Sequence, residues 1–198
     1  MDTQIENHIR IAVVCGSVRP GSYTMKATGL VMDELAQQSD VVADVIDPAE
    51  MHLPPPGVVS DTDSAQVLQE AVAAATGVIF ATPEYHGSFS SVTKLVIENL
   101  GFPSRLFGKP VALLGVAAGS IGAVKSLEQL RCVCSHVGAI VLPAPVSVAR
   151  VRQKFDEDGN CLDARVEELV RGVATNLLGY IRLHRCPPIA LEAMVRQG

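Results

Sequence analysis

The residues best equipped for chemistry lie in one short stretch, Cys15-Gly16-Ser17-Val18-Arg19-Pro20-Gly21-Ser22-Tyr23-Thr24. Ser17, Ser22 and Thr24 bring hydroxyl donors, and Arg19 brings a permanent charge whose forked N–H groups match a phosphate. Ahead of it, Ile11, Ala12, Val13 and Val14 are apolar and mostly β-branched, as in a strand covered on both faces. Behind it, Ala27, Leu30, Val31 and Leu35 recur at helical spacing. A strand that turns through small residues into a helix aims unpaired N–H groups and the positive end of the helix dipole at one point. The chemistry on offer is anion binding. Gly16 and Gly21 have the spacing that opens a nucleoside-triphosphate loop, but Ser22 stands where that motif needs Lys and Tyr23 follows, which disfavours triphosphate chemistry. No G-x-G-x-x-G is present, so the loop gives no sign of a dinucleotide. A phosphate monoester held by hydroxyls, amides and Arg19 without metal remains, beside the plainer reading of a strand-to-helix turn capped by Ser22.

These groups need a scaffold, and the rest of the chain supplies its elements. Residues 41–46, 77–82, 111–116 and 139–142 are further short apolar runs, read as strands two to five, the last closed by Pro143 and Pro145. Helical stripes separate them. Asp63 begins one helix, with Gln66 placed as its capping-box partner and Val67, Ala71, Ala74 and Ala75 as the buried face. Val92, Leu95, Val96 and Leu100 mark the next; Val124, Leu127, Leu130 and Cys134 the one after. Val166, Leu169, Val170, Val173, Ala174, Leu177, Leu178 and Ile181 make the cleanest stripe, ended by Cys186-Pro187-Pro188. Pro54, Pro55 and Pro56 stiffen an irregular loop after the second strand.

Composition narrows the class. The 198 residues suit one domain with a sizeable core (1–198, with 185–198 as a terminal tail), and 48% hydrophobic residues support a well-buried interior. A net charge of −5, 4% aromatics and no Trp argue against a nucleic-acid partner and against an anionic membrane surface. No stretch reads as a membrane span, and residues 1–8 are polar, so a cytoplasmic protein is expected. The five cysteines, Cys15, Cys132, Cys134, Cys161 and Cys186, are odd in number and scattered, which is no disulfide framework. Cys132 and Cys134 fall on different faces of a helix, and His136 nearby is too little for zinc. Cys15, beside Arg19, reads either as a reactive thiolate or as a small core residue. In Asp156-Glu157-Asp158-Gly159-Asn160 the glycine comes too early for a calcium loop; a solvated turn is expected, and no metal.

Five strands alternating with five helices specify an α/β fold, a doubly wound parallel sheet with helices on both faces. The natural order for five strands is 2-1-3-4-5, with a switch point between strands one and three, where ligands bind beyond the strands' carboxyl ends. Three loops of small residues meet there: 16–24, 83–88 and 117–122. The first supplies phosphate contacts; the others border a flat ring and offer N–H groups from Tyr85 to Ser88 and from Ala118 to Ser120. A flavin needs that arrangement, with backbone donors placed to stabilise the reduced ring.

Gly16-Ser17-x-Arg19-x-x-Ser22 together with Pro83-Glu84-Tyr85-His86-Gly87-Ser88 resembles the NAD(P)H-dependent FMN reductase family of flavodoxin-like proteins, which includes quinone, azo-compound and chromate reductases. The resemblance runs from about Ile9 to Leu183. It implies an FMN phosphate held by Ser17, Arg19, Ser22 and Thr24, with the Tyr23 amide as helper, and ring contacts from Pro83, Glu84, Tyr85, His86, Gly87, Ser88, Gly119 and Ser120. It also implies NAD(P)H as electron donor, a small-molecule electron acceptor, and a homodimer or homotetramer. Thr24 stands where the family often has Asn, and Thr93-Lys94 where it often has Leu-Lys. The reaction expected is ping-pong transfer on the flavin without a catalytic acid or base, His86 shaping the loop or the acceptor pocket. Arg105 and Lys109 read equally as NADPH-phosphate contacts or as surface charge. A flavodoxin-like electron carrier and a module that has lost its flavin stay open as alternatives.

Overall fold

The structure, a computed structural model, describes residues 9–59 and 61–184; the residues 1–8 and the 185–198 tail discussed above lie outside them. Strands β1 (Ile9–Cys15), β2 (Val41–Ile46), β3 (Gly77–Tyr85), β5 (Pro110–Val116) and β6 (Ile140–Val141) form a parallel sheet in the order β2-β1-β3-β5-β6. Strand β4 (Ser88–Phe89) returns antiparallel on the end of β3, and β7 (Val146–Val148) runs parallel beside β5. Helices α1 (Tyr23–Ala36), α2 (Ser64–Ala74), α3 (Ser91–Glu98), α4 (Val124–His136) and α5 (Ala164–His184) cover it.

Alternate side chains of the central strands leave on opposite faces, and both faces are dry. Ile11, Val13, Ile79 and Leu114 pack with Val31 and Leu35 of α1 and with Val173, Leu177 and Ile181 of α5. On the other face Ala12, Val14, Phe80 and Leu113 meet Leu68 and Val72 of α2, Val96 of α3, and Leu127 and Leu130 of α4. Each fully buried side chain of this size contributes about 1.5–3 kcal/mol over its exposed state. This two-sided burial is why the strands read as continuous apolar runs.

The order expected from sequence is retained, with corrections at the edges. The fifth strand does not end at Pro143. Val111 pairs with Val141; the chain then leaves the ladder through Pro143, Ala144 (φ 57°) and Pro145, and Leu114–Val116 pair with Val146–Val148. Proline has no N–H to donate, so the ladder breaks there, but Val146 and Val148 restore it. The third strand is longer than expected, running through Pro83 to Tyr85. In α2 Leu68 and Val72 lead the buried face, which the expected Ala71 and Ala75 join, while Val67 and Ala74 are exposed. Alanines weigh little against a leucine in deciding which face turns inward. Asp63 precedes α2 without a side-chain cap bond, so the capping box is not formed.

Candidate functional site

The carboxyl ends of β1, β3 and β5 open onto a cleft of about 320 Å³. Ser22 is the N-cap of α1: its Oγ accepts the Met25 amide at 3.1 Å, which leaves its own proton to give outward. The amides of Tyr23 and Thr24, first in the helix, precede any intrahelical acceptor. Arg19, Ser22, Tyr23 and Thr24 all line the cleft. Arg19 is exposed, and its guanidinium has no acidic partner among the described residues. Ser17 is outside the lining and 4% exposed, its Oγ accepting the Arg19 amide at 3.4 Å.

Pro83, Glu84 and Tyr85 form the opposite wall. His86 and Gly87 are the two central residues of a tight hairpin, with φ 50° and 75°, and Tyr85 pairs with Ser88 across it. Two left-handed residues in succession make the turn whose twist matches its strands, and glycine takes the second position without steric cost. The hairpin is tied to α4. Ser88 Oγ donates to Gln129 Oε1 at 2.8 Å, Gln129 Nε2 donates to the Gly87 carbonyl at 2.8 Å, and Glu84 Oε2 accepts the Ser126 amide at 3.1 Å. His86, Gly87 and Ser88 therefore sit at the hairpin tip, outside the cleft lining.

The third wall comes from Val116, Ala117 and Ala118. Gly119 and Ser120 are exposed beyond it, and the Gly119 carbonyl accepts the Arg150 amide at 3.0 Å. That bond, with Val151 N donating to Ala117 O at 3.0 Å, brings Val151 and Arg152 into the cleft. Sequence reasoning missed Arg152 because it ended the fifth strand before Val146, so the loop after Val148 was not recognised as a strand-end loop. Arg152 likewise has no acidic partner among the described residues.

Several candidates fall elsewhere. Lys109 precedes β5, at the end of the sheet opposite the cleft, and donates to the carbonyls of Ala73 and Ala75; it cannot reach a ligand there, and neither can Arg105 in the same connection. Cys15 is fully buried, and burial pushes its thiol up, so it is a core residue and no thiolate. Asp156 closes the expected solvated turn by accepting the Asn160 amide at 2.7 Å, and the Lys26 ammonium holds that turn through the Asp156 carbonyl at 2.5 Å. No cluster of metal-ligating side chains occurs among the described residues. A larger cavity, about 1050 Å³, lies between α3, the 101–107 loop and α4. Its lining is mostly apolar, whereas the smaller cleft lies at the start of α1.

The donor set of that cleft fits FMN: free helix amides, hydroxyls and a guanidinium at one end, and small backbone-presenting loops at the other. The family described as NADPH-dependent FMN reductase matches residues 9–153. The chain belongs to that family. An NAD(P)H-dependent FMN reductase of Pseudomonas aeruginosa is 30% identical over 189 residues, covering 90% of this chain and 98% of that protein. A 2-hydroxy-1,4-benzoquinone reductase of Burkholderia sp is 27% identical, covering 89% and 98%. Among solved structures, FerB, a flavoenzyme NAD(P)H:acceptor oxidoreductase of Paracoccus denitrificans, superimposes with a TM-score of 0.74 at 21% identity, over 89% of this chain and 98% of that one, a likeness of fold. As a member of the FMN reductase family, the chain is a flavodoxin-like oxidoreductase that uses FMN and NAD(P)H. Among the described residues no helix is long and apolar enough to cross a membrane.

Proposed function

We propose that this FMN reductase-family chain passes electrons from NAD(P)H to a quinone, flavin or similar small acceptor, donor and acceptor using one site in turn in a ping-pong sequence. The observation that carries the reading is the convergence of the α1 amides, the Ser22 hydroxyl and Arg19 on the cleft that Pro83, Glu84 and Tyr85 also line. Bound FMN supplies the chemistry, accepting hydride from nicotinamide and yielding electrons to the acceptor. The protein's own part is positional. The start of α1, with Ser17, Arg19, Ser22, Tyr23 and Thr24, holds the phosphate; Pro83, Glu84, Tyr85, Ala117 and Ala118 border the ring, with His86, Gly87, Ser88, Gly119 and Ser120 beyond them. His86 sets the turn, and no side chain is required as acid or base.

Ring stacking needs an open face, and the small residues Ala117 and Ala118 leave room for one. The apolar groove between α3 and α4, beside exposed Phe102 and Phe107, supports assembly as a homodimer or homotetramer. Free Cys15, Cys132, Cys134 and Cys161 support a reducing, cytoplasmic setting. The test is to purify the protein, record its visible spectrum with FMN, and add NAD(P)H anaerobically. Bleaching followed by reoxidation with quinone, and parallel double-reciprocal lines in steady state, are expected. Bleaching without turnover would indicate an electron carrier, and protein that cannot take up FMN would overturn the reading.

A further inference from the structure

The β1–β3 ladder ends where Cys15 stands opposite Ala81, with Gly16 N still donating to Ala81 O at 2.7 Å. Beyond that point the two chains part to make the two ends of the cleft: 16–24 turns into α1, and 82–90 forms the hairpin. Among the described residues a single hydrogen bond joins these segments, from Ser90 Oγ to the Gly16 carbonyl at 2.6 Å. Ser90 is 2% exposed and is embedded in a hydroxyl cluster with Thr82 and Thr93, both fully buried. Thr93 Oγ1 lies 2.9 Å from Ser90 Oγ and 3.2 Å from Thr82 Oγ1. Thr82 Oγ1 in turn donates to the Pro83 carbonyl at 3.1 Å and accepts the Ser90 amide at 3.2 Å.

Each hydroxyl has one proton, so three protons serve four contacts. Ser90 gives its proton to Gly16 and Thr82 gives its own to Pro83, which leaves the Thr93 proton to be shared between Thr82 Oγ1 and Ser90 Oγ. The cluster therefore touches the first residue of the phosphate loop at one end and the first residue of the ring hairpin at the other. There is no slack: a Cβ built on Gly16 would stand 2.1 Å from Thr93 Oγ1 and 2.8 Å from the Ala81 carbonyl.

We propose that Thr82, Ser90 and Thr93 are positioning residues, a hydroxyl joint that fixes the distance between the phosphate end and the ring end of the cleft so that one ligand is gripped at both. The proposal rests on the FMN reading of the cleft. It goes beyond that reading in assigning function to side chains that touch no ligand. Loss of the joint lets the phosphate loop drift relative to the hairpin. A flavin seated by its ring then presents its phosphate out of register, whereas riboflavin, which has no phosphate, is indifferent.

The test is the ratio of FMN to riboflavin affinity, measured by flavin fluorescence quenching on Ser90→Ala, Thr93→Val and Thr93→Ser proteins alongside the unaltered chain. Thr93→Val leaves the Ser90 cap on the Thr93 amide in place, so it remains informative even where Ser90→Ala does not fold. The expected result is a wild-type preference for FMN that falls tenfold or more in Ser90→Ala and severalfold in Thr93→Val, with riboflavin affinity within twofold throughout and the preference regained in Thr93→Ser. A folded Thr93→Val or Ser90→Ala protein that keeps the full preference overturns the proposal alone. Equal loss of both flavins, the mark of a merely structural role, overturns it as well. A wild-type chain that does not distinguish FMN from riboflavin overturns the phosphate reading, and the joint with it.

Discussion

Glu84, at the end of β3, accepts the amide of Ser126 in the first turn of α4 at 3.1 Å. The carboxylate thus caps a helix that has no capping side chain of its own, since Ala123 occupies the N-cap. A negative charge there is also stabilised by the positive end of the helix dipole. The same bond holds the hairpin against α4, so one side chain serves stability and site shape together. Glu84→Ala should cost about 1 kcal/mol, as lost N-caps generally do, and Glu84→Gln, which keeps an acceptor, should cost less. Urea denaturation midpoints check this; equal midpoints for all three proteins would deny the capping role.

Arg19→Ala should weaken FMN retention roughly tenfold, the lower end of what a charge-assisted hydrogen bond contributes, because Arg19 is exposed and partly screened by solvent. The fold should be preserved, since its guanidinium makes no ion pair among the described residues. Equilibrium dialysis with FMN reads the effect. Undiminished affinity would remove Arg19 from the phosphate site.

Arg152 lines the cleft from the β7 side and makes no ion pair among the described residues. Arg152→Ala should lower the affinity for an anionic ligand severalfold and flatten the salt dependence of binding, because one fewer charge is exchanged against counterions. FMN titrations at several ionic strengths measure both quantities. Identical curves for the two proteins would make Arg152 a bystander.

Burial pushes the Cys134 thiol from 9.0 up to about 12 and raises that of Cys15 as well. A thiol held protonated in the folded state binds more protons than the unfolded chain once pH exceeds 9. Its stabilising contribution is whole below pH 9 and declines as pH rises from there toward 12, by about 1.4 kcal/mol per pH unit for Cys134. Denaturation midpoints between pH 8 and pH 11 should therefore fall, and Cys134→Ala should flatten the fall. In the native protein a thiol reagent should modify exposed Cys132 ahead of Cys134 and Cys15. Cys134 reacting as fast as Cys132 would contradict the burial.

The long elements were legible in the sequence because each carries a redundant signal. The runs around Val13, Ile79 and Leu113 are apolar on successive residues since both faces of the sheet are covered, and α5 repeats its stripe from Val166 to Ile181. Short or balanced signals failed. The buried face of α2 turned on the difference between Leu68 and the alanines around it, and the fifth strand was cut short because prolines announce a break but do not say whether the ladder resumes.

What the sequence by itself determined was the proposed phosphate end of the candidate site, because its groups are neighbours in the chain. Glycines, hydroxyls and Arg19 fall between a strand and a helix, and local geometry alone points the first amides of α1 at one spot. Only the tertiary structure decided the rest. Glu84 caps a helix that begins forty residues later; Arg152 reaches the cleft because β7 rejoins β5; and Ser90 bonds Gly16 across 74 positions of chain. Such pairings depend on which elements lie side by side in the sheet, and a side chain's own identity carries no record of its distant neighbour.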